Sequence, residues 1–281
     1  MSGRAALVVC AGLKGGGGKT TLALGLFGAF AESGARVALI DADPAGTAAA
    51  WCARAAAGSA GRHRPLSGRS DLAAWVAALR AEGEAAEILL LDLPPRDPLP
   101  LVAAALLADL VLVPVAPSAL ELPGAEASLA LVRRVRRERA DGGPEILLVP
   151  NRVSEFHPEA RGFEARLAPL GVPLAPVLRL RETHERAYAE GRTVAAMAPG
   201  SPAHRELSAI ARAVRARLGA AADAAPGPEE RATETSGAPV VRAGYLDRPP
   251  GAEGRLDLSG YRRRWWHRLL PRVAAHEPRR G

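Results

Sequence analysis

The chain has 281 residues, 48% of them hydrophobic and 24% charged, which is the composition of a folded protein with one large domain or two small ones. Thirty-seven basic groups against 30 acidic ones give a net charge of +7, and only two of the basic groups, Lys14 and Lys19, are lysine. No apolar run reaches the roughly 18 to 20 residues of a membrane span. No cleavable signal pattern precedes the first strand-like run, and Cys10 and Cys52 form neither a disulfide framework nor a zinc site. These features predict a cytoplasmic protein.

Taken along the chain, apolar runs bounded by turn signals occur at Ala6–Ala11, Arg36–Ile40, Glu87–Leu91, Leu110–Val115, Glu145–Val149 and Val172–Leu178. They read as strands buried on both faces. Helical periodicity occupies Lys19–Glu32, Thr47–Ala57, Asp71–Arg80, Leu122–Arg139 and Pro202–Leu218. Such alternation predicts an α/β fold, a doubly wound and mostly parallel sheet with helices on both faces. Ligands of such sheets bind at the carboxyl ends of the strands.

Composition divides the chain into three parts. Residues 1–219 carry the alternating pattern. Residues 220–254 are rich in Ala, Pro, Gly and Glu without apolar periodicity, which predicts a disordered linker. Residues 255–281 form a basic segment containing Trp265 and Trp266. Charge is uneven as well: residues 133–217 hold 16 arginines against ten acidic groups, whereas residues 1–132 carry slightly more acid than base.

The most informative segment is Lys14-Gly15-Gly16-Gly17-Gly18-Lys19-Thr20-Thr21, set between a strand and a helix. Four consecutive glycines let backbone N–H groups curl around phosphate oxygens with no Cβ in the way. The helix that opens at Lys19 directs its positive end at the same anion. In this context Lys19 is placed to reach β- and γ-phosphates and Thr20 to hold Mg²⁺. Further along, Ile88-Leu89-Leu90-Leu91-Asp92 places a carboxylate at the end of a buried strand, where it can hold Mg²⁺ through a water.

Leu13 stands where the general phosphate loop has its first glycine, and an extra lysine, Lys14, stands at the loop entrance. This pattern resembles the deviant Walker A motif of the ParA/MinD family of P-loop ATPases. Leu39-Ile40-Asp41-Ala42-Asp43-Pro44 resembles that family's switch I, with Ala45 where glutamine is usual. Asp92-Leu93-Pro94-Pro95 resembles Walker B and switch II, Pro114 to Ser118 the next strand exit, and Val149-Pro150-Asn151-Arg152 the strand end whose asparagine contacts adenine. Ala189 to Arg192 with Ala198-Pro199 resembles the closing region of short ParA-type proteins.

The resemblance covers about residues 4–218 and implies ATP and Mg²⁺ as cofactors, with weak, partner-stimulated hydrolysis to ADP and phosphate. It implies that Lys14 reaches phosphate bound by the partner in an ATP-dependent homodimer. By the same resemblance, Asp43 is expected to orient the attacking water and, with Thr20 and Asp92, to belong to the metal site. Gly15 to Thr21, Asn151 and Arg152 are expected to bind the nucleotide. The family role is that of a switch that partitions or positions DNA or another large cargo, stimulated by an activating partner protein and placed on the bacterial nucleoid. The candidate surface for non-specific DNA is Arg133, Arg134, Arg136, Arg137 and Arg139, with Arg205, Arg212, Arg215 and Arg217 on the last helix. The alternative is a MinD-like regulator acting at a membrane or through protein contacts, for which Tyr261–Val273 has the arginine and aromatic pattern of an interfacial helix. His157, His184 and His204 lack ligand spacing and read as surface or capping residues.

Overall fold

A computed structural model describes residues 5–55, 62–65, 79, 83, 85–154 and 156–224. Seven parallel strands form the sheet in the order β3-β2-β4-β1-β5-β6-β7. They are β1 (Ala6–Cys10), β2 (Val37–Asp41), β3 (Arg62–Pro65), β4 (Ile88–Asp92), β5 (Leu110–Val115), β6 (Glu145–Val153) and β7 (Leu178–Arg179). The described helices are α1 (Lys19–Glu32), α2 (Thr47–Arg54), α3 (Pro98–Leu107), α4 (Leu122–Glu138), α5 (Phe163–Leu167), α6 (Glu182–Ala189), α7 (Val194–Met197) and α8 (Pro202–Ala224).

Strand alternation explains the two layers. In β1, Leu7 and Val9 enter one core and Val8 and Cys10 the other. In β4, Leu89 and Leu91 separate from Ile88 and Leu90 in the same way. Successive side chains leave opposite faces of a strand, so a continuous apolar run needs cover on both sides. The first core is closed by α3, α4 and α5, and the second by α1, α2 and α6 to α8. Phe27 and Trp51 meet edge to face in the second core, with ring centroids 6.2 Å apart, which fastens α2 onto α1.

Register brings the chemistry to one edge. Asp41 pairs with Asp92 across β2 and β4, and Asp92 pairs with Cys10, the last residue of β1 before the glycine loop. Two carboxylates therefore end adjacent strands beside the loop.

The structure departs from the sequence reading in several places. The strand expected over Val172–Leu178 is reduced to an isolated bridge at Leu174 and the two residues of β7. Pro173 and Pro176 lack the N–H a ladder needs, so the run cannot pair continuously. β3 was not anticipated, because Arg62-His63-Arg64-Pro65 carries no apolar signal. Helix α8 continues to Ala224, into the stretch read as linker, since Ala220 to Ala222 are strong helix formers whatever their position. The helix over Asp71–Arg80 (Leu79 apart), the rest of the linker and Tyr261–Val273 lie outside the described residues. Among the described residues no helix is long and apolar enough to cross a membrane.

Candidate functional site

The glycine loop joins β1 to α1 with Gly16 and Gly18 at φ of 94° and 84°. Gly18 is required twice over. Its φ excludes most side chains, and a Cβ there would lie 2.4 Å from Asn151 Nδ2. That amide donates to the Gly17 carbonyl at 2.8 Å and to Gly18 at 3.3 Å, while Arg152 Nη1 donates to the Gly16 carbonyl at 2.8 Å. Asn151 and Arg152 thus brace the loop. Asn151 is 2% exposed, its amide turned to the loop carbonyls, and both it and Arg152 line a cavity beside the loop.

Lys19 is 7% exposed, and its Nζ donates to the Lys14 carbonyl at 3.3 Å. Burial lowers its pKa, opposed by the carboxylates of Asp92, Asp43 and Glu121. An ammonium held in a loop that exposes N–H groups is suited to a multiply charged anion.

Thr20 Oγ1 donates to Asp92 Oδ2 at 2.7 Å. Asp92 is 1% exposed, and its second oxygen, Oδ1, is buried without a hydrogen-bond partner. Burial pushes its pKa up to about 7, with Asp41 and Asp43 adding repulsion against the Thr20 hydrogen bond and Lys19. A hydroxyl beside an orphaned buried carboxylate oxygen is a donor set for a hard, oxygen-seeking cation, so these residues fit Mg²⁺. The glycine cradle with Lys19 at the positive end of α1 fits the phosphates of a nucleotide.

The segment of residues 39–44 ends β2 and enters the turn after it. Asp41 accepts from Asp43 N at 3.0 Å and from Ala49 N at 2.9 Å, tying the strand end to α2. Burial raises the Asp41 pKa despite these bonds. Asp43 accepts from Ala45 N at 2.9 Å and is half-buried, with its carboxylate in the field of Lys19 and Asp92. After the neighbouring strand β4, Arg96 N donates to the Leu13 carbonyl at 2.7 Å, joining that segment to the loop.

Lys14 lies against its own chain. Its Nζ donates to the Leu120 carbonyl at 3.0 Å and pairs with Glu121 Oε1 at 3.9 Å. Ser128 Oγ accepts from Leu13 N at 3.0 Å and donates to the Gly124 carbonyl at 2.6 Å. Glu121 and Ser128 escaped sequence reasoning, because no spacing rule connects α4 to a loop more than a hundred residues earlier.

From Gly18, Thr20 and Thr21 a cavity of about 370 Å³ extends between α1, α2 and α6, within the range of small-molecule sites. Arg152, Arg179 and Arg181 line it, together with Trp51 and Tyr188. His184 borders it, and this corrects the sequence reading of a surface residue: the ring is half-buried, Nε2 is buried without a partner, and burial lowers its pKa. His204 does sit at the surface edge, bonded to Gly200 N at 2.8 Å and Glu32 at 2.6 Å.

The basic helix also proves different in use. Arg133 donates to the Leu170 and Gly171 carbonyls, Arg136 to Gly142 and Glu145, and Arg139 to the Ala105 and Ala108 carbonyls and Asp141. On α8, Arg215 donates to Ser33 Oγ and covers the Phe30 ring, and Arg217 faces Glu145. Most of these arginines therefore fasten helices to the fold. Arg137 and Arg212 remain on exposed positions.

The profile of the CobQ/CobB/MinD/ParA nucleotide binding domain matches residues 8–194. Maintenance of carboxysome distribution protein A from Halothiobacillus neapolitanus is 28% identical over 197 residues, covering 69% of this chain and 88% of that protein. The protein of the same name from Gloeobacter kilaueensis is 32% identical over 184 residues, 64% of this chain and 80% of its own length. Among solved structures, an ATP complex of McdA from Cyanothece superposes with a TM-score of 0.60 at 21% identity, covering 77% of this chain and 97% of that one, which supports the fold. With its glycine cradle, paired lysines and strand-end carboxylates, the chain belongs to the ParA/MinD family of P-loop ATPases.

Proposed function

We propose that the protein is an ATP-hydrolysing, dimerising switch that positions a large cargo in the cell. The observation that carries this reading is the Thr20–Asp92 pair at 2.7 Å beside a loop holding both of the chain's lysines. In this reading Lys19 and the loop N–H groups bind the phosphates, Thr20 and Asp92 hold Mg²⁺, and Asp43 orients the attacking water. Bound Mg²⁺ supplies neutralisation of phosphate charge. Lys14 leaves Leu120 and Glu121 to reach phosphate held by a second copy. The nucleoside enters the part of the cavity beside the loop that is lined by Thr21, Asn151 and Arg152.

The two relatives whose names refer to carboxysome distribution favour a cargo other than a plasmid. The matrix is DNA, bound without sequence preference when dimerisation doubles the exposed basic surface, including Arg137 and Arg212. Retention on DNA and on anionic liposomes, each with ATP and with ADP, tests the assignment. ATP-dependent retention on DNA that weakens steeply with salt is the expected result. Retention on liposomes alone replaces the DNA reading with attachment through residues 255–281.

A further inference from the structure

Helix α2 follows the turn at residues 41–43 and is only two turns long. Its N-cap, Gly46, provides no side-chain hydrogen bond, and helices this short do not hold themselves in water. Its position must come from what packs against it. Trp51 supplies the buried side. On the exposed side, Tyr188 of α6 holds it.

Tyr188 touches both ends of α2. Its hydroxyl donates to the carbonyl of Thr47, the first residue of α2, at the long limit of 3.5 Å. The guanidinium of Arg54, the last residue, lies 4.7 Å above the Tyr188 ring, and Arg54 Nη2 donates to the Tyr188 carbonyl at 3.4 Å. Immediately after α6, Gly191 packs so closely on the end of α2 that a Cβ would lie 2.8 Å from the Arg54 carbonyl carbon. From the clamped helix the connection to chemistry is short. Ala49 N bonds Asp41, Asp41 bonds Asp43 N, and the Asp43 carbonyl receives Gly46 N at 2.8 Å. Tyr188 also lines the cavity that opens from the glycine loop.

We propose that Tyr188 is a positioning residue for hydrolysis: by clamping both ends of α2 it fixes the turn that carries Asp43. This rests on the ATPase reading given above. Tyr188 bonds α2 at Thr47 and Arg54. It acts through α2, so its loss should lower turnover while leaving nucleotide affinity nearly intact. The cation–π contact makes the ring the larger part of the clamp and the hydroxyl the smaller.

The test uses the full chain and three variants, Tyr188→Ala, Tyr188→Phe and Arg54→Ala. ATP turnover, affinity for a fluorescent ATP analogue and deuterium uptake over residues 42–54 are measured for each. The expected result for Tyr188→Ala is a drop of about tenfold in kcat with affinity changed less than about threefold, and faster uptake across α2. Arg54→Ala should follow it, and Tyr188→Phe should recover most of the turnover. Wild-type kcat in Tyr188→Ala, or affinity falling in step with kcat, would overturn the proposal, since the residue would then be inert or merely a cavity wall. Should the wild type itself not hydrolyse ATP, the ATPase reading fails separately. Uptake over α2 unchanged in both Tyr188→Ala and Arg54→Ala would then still overturn the clamp.

Discussion

Thr20 and Asp92, 72 residues apart in the chain, are joined by a 2.7 Å hydrogen bond that leaves Asp92 with one satisfied and one orphaned oxygen. This relationship has a pH consequence. Burial raises the Asp92 pKa to about 7 in the fold, against about 3.9 in an unfolded chain. Between these values the folded state keeps a proton that the unfolded state loses, so stability falls as pH rises across that window. The slope is about 1.4 kcal/mol per pH unit. Without nucleotide, Asp92→Asn should gain stability relative to the wild type as pH rises from 4.5 to 7, and the difference should level off above 7. Urea unfolding at each pH measures it. A constant difference between the two proteins would contradict a buried, protonated Asp92.

The two lysines should separate by experiment. Lys19 is buried in the loop, so Lys19→Ala removes a charge-assisted contact from a desolvated site and should weaken ATP binding about 10- to 100-fold. Lys14 lies at the loop entrance against Leu120 and Glu121, so Lys14→Ala should change affinity by less than about threefold while removing dimer-dependent turnover. Titration of a fluorescent nucleotide and steady-state hydrolysis measure both. Wild-type hydrolysis by Lys14→Ala under dimer-forming conditions would contradict the role given to that lysine.

Arginines on the basic helix should divide by their partners. Arg139 satisfies the carbonyls of Ala105 and Ala108 at the end of α3, and its loss leaves them unpaired. Arg139→Ala should therefore cost about 1 to 3 kcal/mol of stability, measured by urea unfolding. Arg137→Glu combined with Arg212→Glu should leave stability within about 0.5 kcal/mol and reduce ATP-dependent retention on DNA. Undiminished retention would move the contact to other residues.

A methyl group in the cradle gives a steric test. At Gly17 a Cβ would approach the Pro114 carbonyl oxygen to 3.1 Å and Glu121 Oε2 to 3.2 Å. Gly18 adds a φ of 84° and the Asn151 contact. Gly18→Ala should cost about 1 to 3 kcal/mol and displace the Asn151 brace, with Gly17→Ala the milder of the two. Thermal unfolding of each variant orders them. A Gly18→Ala protein as stable as the wild type would show that Asn151 does not brace the loop.

What the sequence revealed followed from how local the signal is. Helix α1 falls on Lys19–Glu32 as its periodicity predicts, because its start is marked by the end of the glycine run. The nucleotide loop and the strand-end carboxylates of Asp41 and Asp92 were legible for the same reason: each is a short motif at the end of an apolar run. Long-range pairing was not. Arg133 and Arg139 looked like free surface charge, yet their acceptors are backbone carbonyls 31 to 37 residues away, which no charge pattern encodes. His184 and Tyr188 had no signal either, since their environment is made by α6 meeting α2 and the cavity, far away in the chain. The extension of α8 to Ala224 shows the converse, where helix propensity outweighed a composition that suggested a linker.

The central claim, an ATP-driven dimer assembled around this loop, is tested most directly by sedimentation of the Asp43→Ala variant with Mg²⁺ and either ATP or ADP. Without the carboxylate that orients water, ATP should persist and hold the protein as a stable dimer, whereas ADP should leave it monomeric, and adding Lys14→Ala should abolish the ATP dimer. A protein that stays monomeric with ATP, or dimerises equally with ADP, would contradict the account.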